Sequence, residues 1–362
     1  MTFLVFLIVI GILIVVHEFG HFMVAKSLGI RVEKFVLGFG PVLFRTKRKH
    51  TEYAISLIPL GGYVKLAGDN RDEYKGNKWE YFSRPPLQRA GIIVFGPILN
   101  YALAFLLFCL VFFVGFPTFT SGVGELIDDF PAKEAGLLPG DNIVNIDGQD
   151  VKHWEELQEI VFDKKEGKLD ITVLRGSKKI KFKILPKKET ITNIFGQETT
   201  VSLIGIRPKD DEFVKLKYPL GESIMEGGKR LFFMTALTFK ALFMMLTGGI
   251  SLKESVTGPL GIFFMTGKAA EQGVVYLIHI MAILSMSLAI FNLLPLPILD
   301  GGHLFLLAIE KIRGKPFSQR TDEWISRLGL GFIIFVASFV FYNDLIRYGV
   351  IEKVVNWVNN IR

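Results

Sequence analysis

Cysteine is almost absent from this sequence. The single cysteine, Cys109, lies in an apolar run, and one thiol cannot form a disulfide within the chain. A small disulfide-stabilised fold is therefore excluded, and the cysteine content gives no information about the redox compartment.

Charged residues are also sparse, at 21%, and no Lys or Arg occurs before Lys26. Because a basic n-region and an Ala-x-Ala cleavage pattern are both missing, the apolar N-terminal stretch matches a secretory signal peptide poorly. The net charge of +7 does not indicate nucleic acid binding, since the basic residues are spread over loops without interleaved aromatic residues. Basic loops between apolar segments are typical of a protein in contact with the lipid bilayer.

Half of the residues are hydrophobic, which predicts an integral membrane protein with room for one soluble domain. Four apolar stretches match a bilayer in length, at residues 1–25, 91–116, 273–299 and 326–343. A fifth segment, residues 222–248, contains three basic residues and predicts an amphipathic helix at the membrane interface.

The distribution of basic residues predicts the orientation of these spans. Thirteen Lys and Arg lie in residues 26–89 and five in residues 311–327. The positive-inside rule places both loops in the cytoplasm, so four spans put both termini on the extracytoplasmic side.

His17, Glu18 and His21 form a His-Glu-x-x-His sequence within the first predicted span. Residues four apart share one face of a helix, so both imidazoles can bind one metal ion while Glu18 lies beside them as a general base. Ionisable residues inside a membrane are functional by default. The pattern therefore predicts a Zn²⁺ hydrolase.

A catalytic zinc ion usually has a third protein ligand, and Asp300 is the best candidate. The first and third predicted spans both run inward, and they bring His17 and Asp300 to similar depth on the same side. Pro295 and Pro297 break the helix there and leave space for an extended substrate. His303 is a second candidate ligand, and Asp300 as an N-cap of the following helix is the alternative interpretation.

Two regions interrupt the apolar helices. Residues 31–68 alternate β-type runs with turn signals and predict a small sheet or re-entrant hairpin, with an ordinary surface hairpin as the alternative. Residues 121–208 are more polar, and residues 135–151 resemble the middle of a PDZ domain, which binds peptide termini by strand addition. The predicted elements of this region are a helix at 151–162, strands at 169–174 and 178–185, and a closing strand at 201–206. A spacer without a ligand is the alternative.

Residues 17–21, 38–41 and 292–302, together with the PDZ-like segment, resemble the bacterial site-2 proteases of the regulator-of-sigma-E protease type. Members of that family are intramembrane zinc metalloproteases. The best-known members have two tandem PDZ domains and a longer outer region, whereas this chain has room for only one.

The resemblance implies a role for each matching position. His17, His21 and Asp300 would bind zinc, and Glu18 would activate water. Asn292 would help to hold the substrate or the oxyanion, and residues 38–41 would belong to a membrane-re-entrant β-loop.

We therefore predict a polytopic α-helical protein of the bacterial inner membrane. It has four transmembrane helices, a cytoplasmic-side re-entrant β-loop and an inserted extracytoplasmic PDZ domain. The predicted function is zinc-dependent cleavage of pre-trimmed single-span membrane proteins, such as anti-sigma factors or remnant signal peptides. The alternatives are an inactive membrane scaffold that binds protein termini through its PDZ domain, and a metal-dependent transporter, for which repeated spans are missing.

Overall fold

The structure is a computed structural model that describes residues 2–192, 198–209, 213–251, 256–315 and 317–349. The described residues form nine α-helices: α1 (Thr2–Ser27), α2 (Pro86–Val114), α3 (Pro131–Glu134), α4 (Trp154–Phe162), α5 (Leu220–Leu246), α6 (Pro259–Gln272), α7 (Val274–Asn292), α8 (Asp300–Arg313) and α9 (Gln319–Arg347). The strands are β1 (Val32–Arg48), β2 (Thr51–Leu66), β3 (Phe116–Phe119), β4 (Val123–Leu126), β5 (Asn142–Ile146), β6 (Gln149–Asp150), β7 (Leu169–Arg175), β8 (Lys178–Ile184), β9 (Lys187–Thr192), β10 (Glu198–Leu203), β11 (Ile206–Pro208) and β12 (Phe213–Leu216).

The chain divides into two compact units. The first contains the described residues of Met1–Val111, Ile224–Lys240 and Leu252–Arg362, and the second contains those of Phe112–Ser223 and Ala241–Ser251.

Among the described residues, four helices are long and apolar enough to cross a membrane, at Thr2–Ser27, Pro86–Val114, Val274–Asn292 and Arg327–Arg347. The prediction is thereby confirmed as far as four apolar helices capable of spanning a membrane. The predicted third span at 273–299 is too long, because α7 ends at Asn292. Pro295 and Pro297 explain this early end, since a proline disfavours helical geometry at the residue before it.

Helix α5 lies alongside the C-terminal half of α2. A Cβ atom added at Gly227 would lie 2.6 Å from Sγ of Cys109, and the hydroxyls of Thr235 and Tyr101 are 2.9 Å apart. From the first contact to the second, the residue number rises by eight on α5 and falls by eight on α2. The two helices therefore run antiparallel over about 12 Å. The predicted interfacial position of residues 222–248 stays a prediction.

The short helix α6, which the sequence analysis did not predict, is anchored by a buried carboxylate of α9. Asp344 is fully buried and accepts hydrogen bonds from the backbone amides of Gly258, at 3.1 Å, and Gly261, at 3.0 Å. A carboxylate at a helix N-terminus satisfies amides that have no partner within the helix. Phe263 of α6 packs edge-on against Phe6 of α1, with ring centroids 5.7 Å apart.

Strands β1 and β2 each fold back on themselves, so that together they form a small sheet of four strand segments. Each of these segments is called a row. Residues 34–37 pair with 62–65 on one side and with 52–55 on the other. Residues 44–48 pair with 51–55 from the far side, so rows 44–48 and 62–65 lie at the two edges of the sheet. The sheet occupies the predicted region 31–68, and its re-entrant position in the membrane stays a prediction.

The second unit contains a four-stranded sheet with the order β6-β5-β7-β8 and three further strand pairs, β9 with β10, β11 with β4, and β12 with β3. Buried apolar side chains of these strands and of α4 form one core, which includes Val123, Ile143, Trp154, Leu157, Leu169 and Ile171. This separate core gives the unit its own source of hydrophobic stability.

Two predicted elements of this unit are corrected. The closing strand at 201–206 is wrong, because Ile204 and Gly205 separate β10 from β11 and the two strands have different partners. Gly205 has a φ of +83°, which breaks the extended backbone. The helix predicted at 151–162 begins only at Trp154, since the amide of Val151 still bonds to the carbonyl of Val144, 3.0 Å away.

Candidate metal centre

Three side chains from two distant parts of the first unit bring their ligand atoms together. Nε2 of His17 and Nε2 of His21 are 3.2 Å apart, which the four-residue spacing on α1 explains. Oδ2 of Asp300 lies 3.1 Å from Nε2 of His17 and 3.6 Å from Nε2 of His21. The three side chains are only 12–17% exposed.

This triangle fits a zinc ion. Ligands bound at about 2.0–2.1 Å in tetrahedral geometry are separated from one another by about 3.3 Å. Oδ2 of Asp300 is buried and has no hydrogen-bond partner, which leaves it available to a cation. In the part of the chain that the structure describes, this is the only cluster of three or more His, Cys, Asp or Glu side chains arranged to hold a metal.

A backbone carbonyl of α2 orients one of the two imidazoles. Nδ1 of His21 lies 2.9 Å from the carbonyl oxygen of Ile92. A carbonyl can only accept, so the proton belongs on Nδ1 and the lone pair of Nε2 points at the metal position. Pro97, one turn further along α2, lacks the amide that would bond to the carbonyl of Ile93 and loosens the helix at this level.

Glycines let α1 and α2 approach closely at the metal centre. A Cβ atom at Gly20 would overlap the carbonyl oxygen of Phe95 and lie 2.8 Å from Cα of Gly96. A Cβ atom at Gly96 would overlap Nε2 of His21 and lie 3.0 Å from Cε1 of His17. Any side chain at Gly96 therefore displaces the two imidazoles.

Gly96→Ala is expected to weaken zinc binding at least about tenfold, because the added methyl group moves both imidazoles. Zinc affinity is measured by competition with a chromophoric chelator on the purified protein. Gly91→Ala is the matched control, since it lies on the same helix and a Cβ atom there would have no neighbour within 4 Å. If both variants lost zinc affinity to the same extent, contact of the added methyl group with His17 and His21 would not be the cause.

Asp300 is placed by a non-helical segment and a close backbone contact. It is the first residue of α8, whose N-cap position is Leu299 and has no side-chain cap hydrogen bond. Ile298 has a φ of +78°, which is strained for a β-branched residue. Gly301 and Gly302 lie against backbone carbonyls of residues 293–296, where any Cβ atom would overlap them.

Two alternatives to Asp300 as the third ligand were an N-cap role for Asp300 and His303 as the ligand. The side chain of Asp300 points to the histidines, and no cap hydrogen bond from it is found at the start of α8. His303 lines the adjacent cavity but is not part of the three-ligand cluster.

Glu18 lies between the candidate metal ligands and the edge of the small sheet. A Cβ atom at Gly62 would lie 3.3 Å from Cγ of Glu18 and 3.2 Å from Cγ2 of Ile14, so row 62–65 packs directly on α1. Glu18, His21, Val64 and Asp300 line one cavity of about 700 Å³.

The same cavity extends away from the ligands to a buried ion network. Glu310 of α8 pairs with Arg89 of α2 at 3.0 Å and with Arg71 at 3.2 Å. Asp69 also lines this end, and burial raises the pKa of its carboxyl above the usual value. The cavity therefore has polar, charged walls, as a site that admits water and peptide groups requires.

Asn292 is a predicted site residue that does not line this cavity and is not part of the ligand triangle. It is the last residue of α7 and is absent from the described residues that line the cavity. Its predicted role stays a prediction.

One buried polar side chain of α2 was not predicted from the sequence. Asn100 is fully buried in α2, one turn beyond Gly96. The available signal was an amide inside an apolar span, where polar side chains are costly.

A protein-family model and several known proteins are similar to this chain along most of its length. The model described as peptidase family M50 matches residues 5–336. The regulator of sigma-E protease RseP of Escherichia coli is 30% identical, covering 94% of this chain and 98% of that protein. A protein of Agrobacterium fabrum, provisionally named a zinc metalloprotease, is 32% identical and covers 94% of each. Among solved structures, the PDZ domain of the SdrC-like protein from Listeria monocytogenes is 30% identical over 25% of this chain and 87% of that chain, with a TM-score of 0.20.

Proposed function

Because this chain belongs to peptidase family M50 and is a zinc metalloprotease with apolar spanning helices, we propose that it cleaves single-span membrane proteins within or near the bilayer. The observation that carries this proposal is the ligand triangle of His17, His21 and Asp300, with Glu18 beside it on α1. These residues are the proposed metal ligands and general base.

The chemistry needs a polarised carbonyl and an activated water molecule. Zinc, when bound, stabilises negative charge on the scissile carbonyl oxygen and makes water more acidic. The Glu18 carboxylate accepts a proton from the attacking water and delivers it to the nitrogen of the leaving amine. His17, His21 and Asp300 hold the metal position fixed relative to that carboxylate, and Asn292 is proposed to help hold the substrate or the oxyanion.

The small sheet offers a place for the substrate backbone. A helix hides its carbonyls in its own hydrogen bonds, so a transmembrane substrate must unwind before hydrolysis. Row 62–65 is an edge of the sheet and packs on α1 at Glu18. An unwound segment that pairs with this edge would present its backbone to the metal centre.

We propose that the second unit is a PDZ domain that binds peptide termini, and that the physiological substrates are pre-trimmed stubs such as anti-sigma factors or remnant signal peptides. The competing function is an inactive scaffold. A scaffold would bind substrate termini through the second unit without cleavage, and ligand substitutions at the metal centre would leave that binding unchanged.

Metal removal tests the proposed activity. Purified protein in proteoliposomes is incubated with a single-span model substrate, before and after treatment with a zinc chelator. Cleavage is expected to stop after chelation and to return with one equivalent of Zn²⁺, since the metal would supply the Lewis acid that polarises the scissile carbonyl. Binding of the substrate without cleavage at any zinc concentration would favour the scaffold.

Tag accessibility tests the proposed topology. Reporter tags after Gly68 and after Arg313 are expected in the cytoplasm, and tags at Gly176 and at the C-terminus on the extracytoplasmic side. Cysteine labelling in intact cells and in inverted vesicles provides the measurement. If the tags after Gly68 and Arg313 lay on opposite sides, α5 would have to cross the membrane as well.

A further inference from the structure

Asn100 is a buried polar side chain for which the activity described above has no role. It is 0% exposed in the interior of α2, and neither Oδ1 nor Nδ2 of its amide has a hydrogen-bond partner. Its backbone carbonyl does accept a hydrogen bond, from the hydroxyl of Ser285 on α7 at 2.8 Å. A buried amide without partners is destabilising in a membrane span, so the side chain needs another reason to be there.

A second buried ring nitrogen without a partner belongs to a proposed metal ligand on the neighbouring helix α1. Nδ1 of His17 is buried and has no hydrogen-bond partner, whereas Nδ1 of His21 bonds to the carbonyl of Ile92. Metal-binding imidazoles almost always donate their second ring N–H to an acceptor, which fixes the tautomer and the ring orientation. His17 therefore lacks the outer contact that His21 has.

The contacts between α1 and α2 place His17 within about one helical turn of Asn100 along the helix axis. Contacts run from His21 with Ile92 to His17 with Gly96, so the helices are antiparallel at this point. Gly20 touches Gly96. At about 1.5 Å per residue, His17 lies about 4.5 Å beyond Gly20 and Asn100 lies about 6 Å beyond Gly96 in the same direction.

The imidazole of His17 also faces α2 on the side of Asn100. A Cβ atom at Gly96 would lie 3.0 Å from Cε1 of His17, the carbon between the two ring nitrogens. Gly96 and Asn100 are four residues apart and share one face of α2. The unpaired Nδ1 of His17 and the unpaired amide of Asn100 thus lie on the facing sides of α1 and α2.

We propose that Asn100 is a positioning residue for the metal centre. Nδ1–H of His17 donates a hydrogen bond to one buried water molecule, which in turn donates to Oδ1 of Asn100, and this bridge keeps the lone pair of Nε2 directed at the zinc position. A buried water bridge of this kind is stable when two or more polar partners hold it, and the amide supplies both an acceptor and a donor. The inference rests on the proposed zinc site.

Asn100→Leu separates this role from a packing role. Zinc affinity is expected to fall about 10–100-fold, as changes to outer-shell partners of metal ligands do. The thermal stability of the zinc-free protein is expected to stay equal or rise, because an unpaired buried amide is replaced by an apolar group of similar size. Affinity is measured by chelator competition, and the d–d spectrum of the Co²⁺-substituted protein reports the changed geometry at His17.

Two further variants provide the controls. Asn100→Asp keeps an acceptor at the same position and is expected to retain zinc affinity within about threefold. Tyr101→Phe removes the adjacent polar group, which contacts Thr235 of α5 instead, and is expected to leave affinity unchanged. Asn100→Ala replaces Asn100→Leu in the comparison if the latter does not fold.

The proposal is overturned if the apolar variant binds zinc within twofold of the unaltered protein, or if Asn100→Asp loses affinity to the same extent as the apolar variant. Failure of the zinc site itself is a separate result. In that case the unaltered protein binds no zinc in the same titration, whatever residue occupies position 100.

Discussion

Glu18→Gln is expected to abolish peptide hydrolysis while zinc remains bound at one equivalent. The amide cannot accept the proton of the attacking water, and general acid–base catalysis contributes about 10²–10⁴-fold to such reactions. All three proposed ligands stay in place, and Glu18 lies beside the ligand triangle without being a member of it. We expect a loss of about 10²–10⁴-fold in the rate of cleavage.

The measurement compares cleavage of a single-span model substrate with zinc content determined on the same preparation. Glu33→Gln is the matched control, because this carboxylate lies on the small sheet with a side chain that is 45% exposed. The control is expected to cleave at the normal rate. Cleavage by Glu18→Gln at more than a tenth of the normal rate would assign the general base to another residue.

Asp300→Asn is expected to weaken zinc binding more than about 100-fold, beyond the usual effect of an outer-shell change. The carboxylate is the only anionic group of the ligand triangle, and its Oδ2 lies within 3.6 Å of both Nε2 atoms. A neutral amide oxygen retains the shape of the side chain but loses the charge that attracts a divalent cation. Hydrolysis is expected to be lost in parallel and to recover partly at high zinc concentration.

His303→Ala is the control for this assignment, because His303 lines the same cavity on the same helix. It is expected to bind zinc normally. If Asp300→Asn retained one equivalent of zinc with full activity while His303→Ala lost it, the third ligand would be His303.

The parts of the fold that could be predicted are those set by short-range periodicity or by bilayer thickness. The four spans follow from uninterrupted apolar runs, since about 20 residues are needed to cross the hydrocarbon core. The closeness of His17 and His21 follows from the pitch of one helix. The position of Asp300 next to these histidines was predicted from the direction in which the first and third spans cross the membrane, because no nearby sequence pattern relates Asp300 to α1.

The remaining features depend on contacts between segments that are distant in sequence. Residues 34–37 pair with one segment on each side. The alternation of apolar and polar residues does not predict this, because it is the same in a sheet of two rows as in a sheet of four. Helix α6 is anchored by Asp344 from another helix. The partner of His21 is a backbone carbonyl, that of Ile92, which carries no sequence signal at all.

The distribution of the proposed ligands along the chain has a consequence for biosynthesis. His21 and Asp300 are separated by 279 positions (300 − 21). At about 5–20 residues per second, translation needs about 14–56 s to reach Asp300 after His21 has been made. During that interval the nascent protein has the imidazoles of His17 and His21 and the carboxylate of Glu18, but the third proposed ligand, Asp300, has not been made. With these ligands, the peptidase stays inert until the chain has been made at least as far as Asp300, and neighbouring membrane proteins are not exposed to a half-built active site.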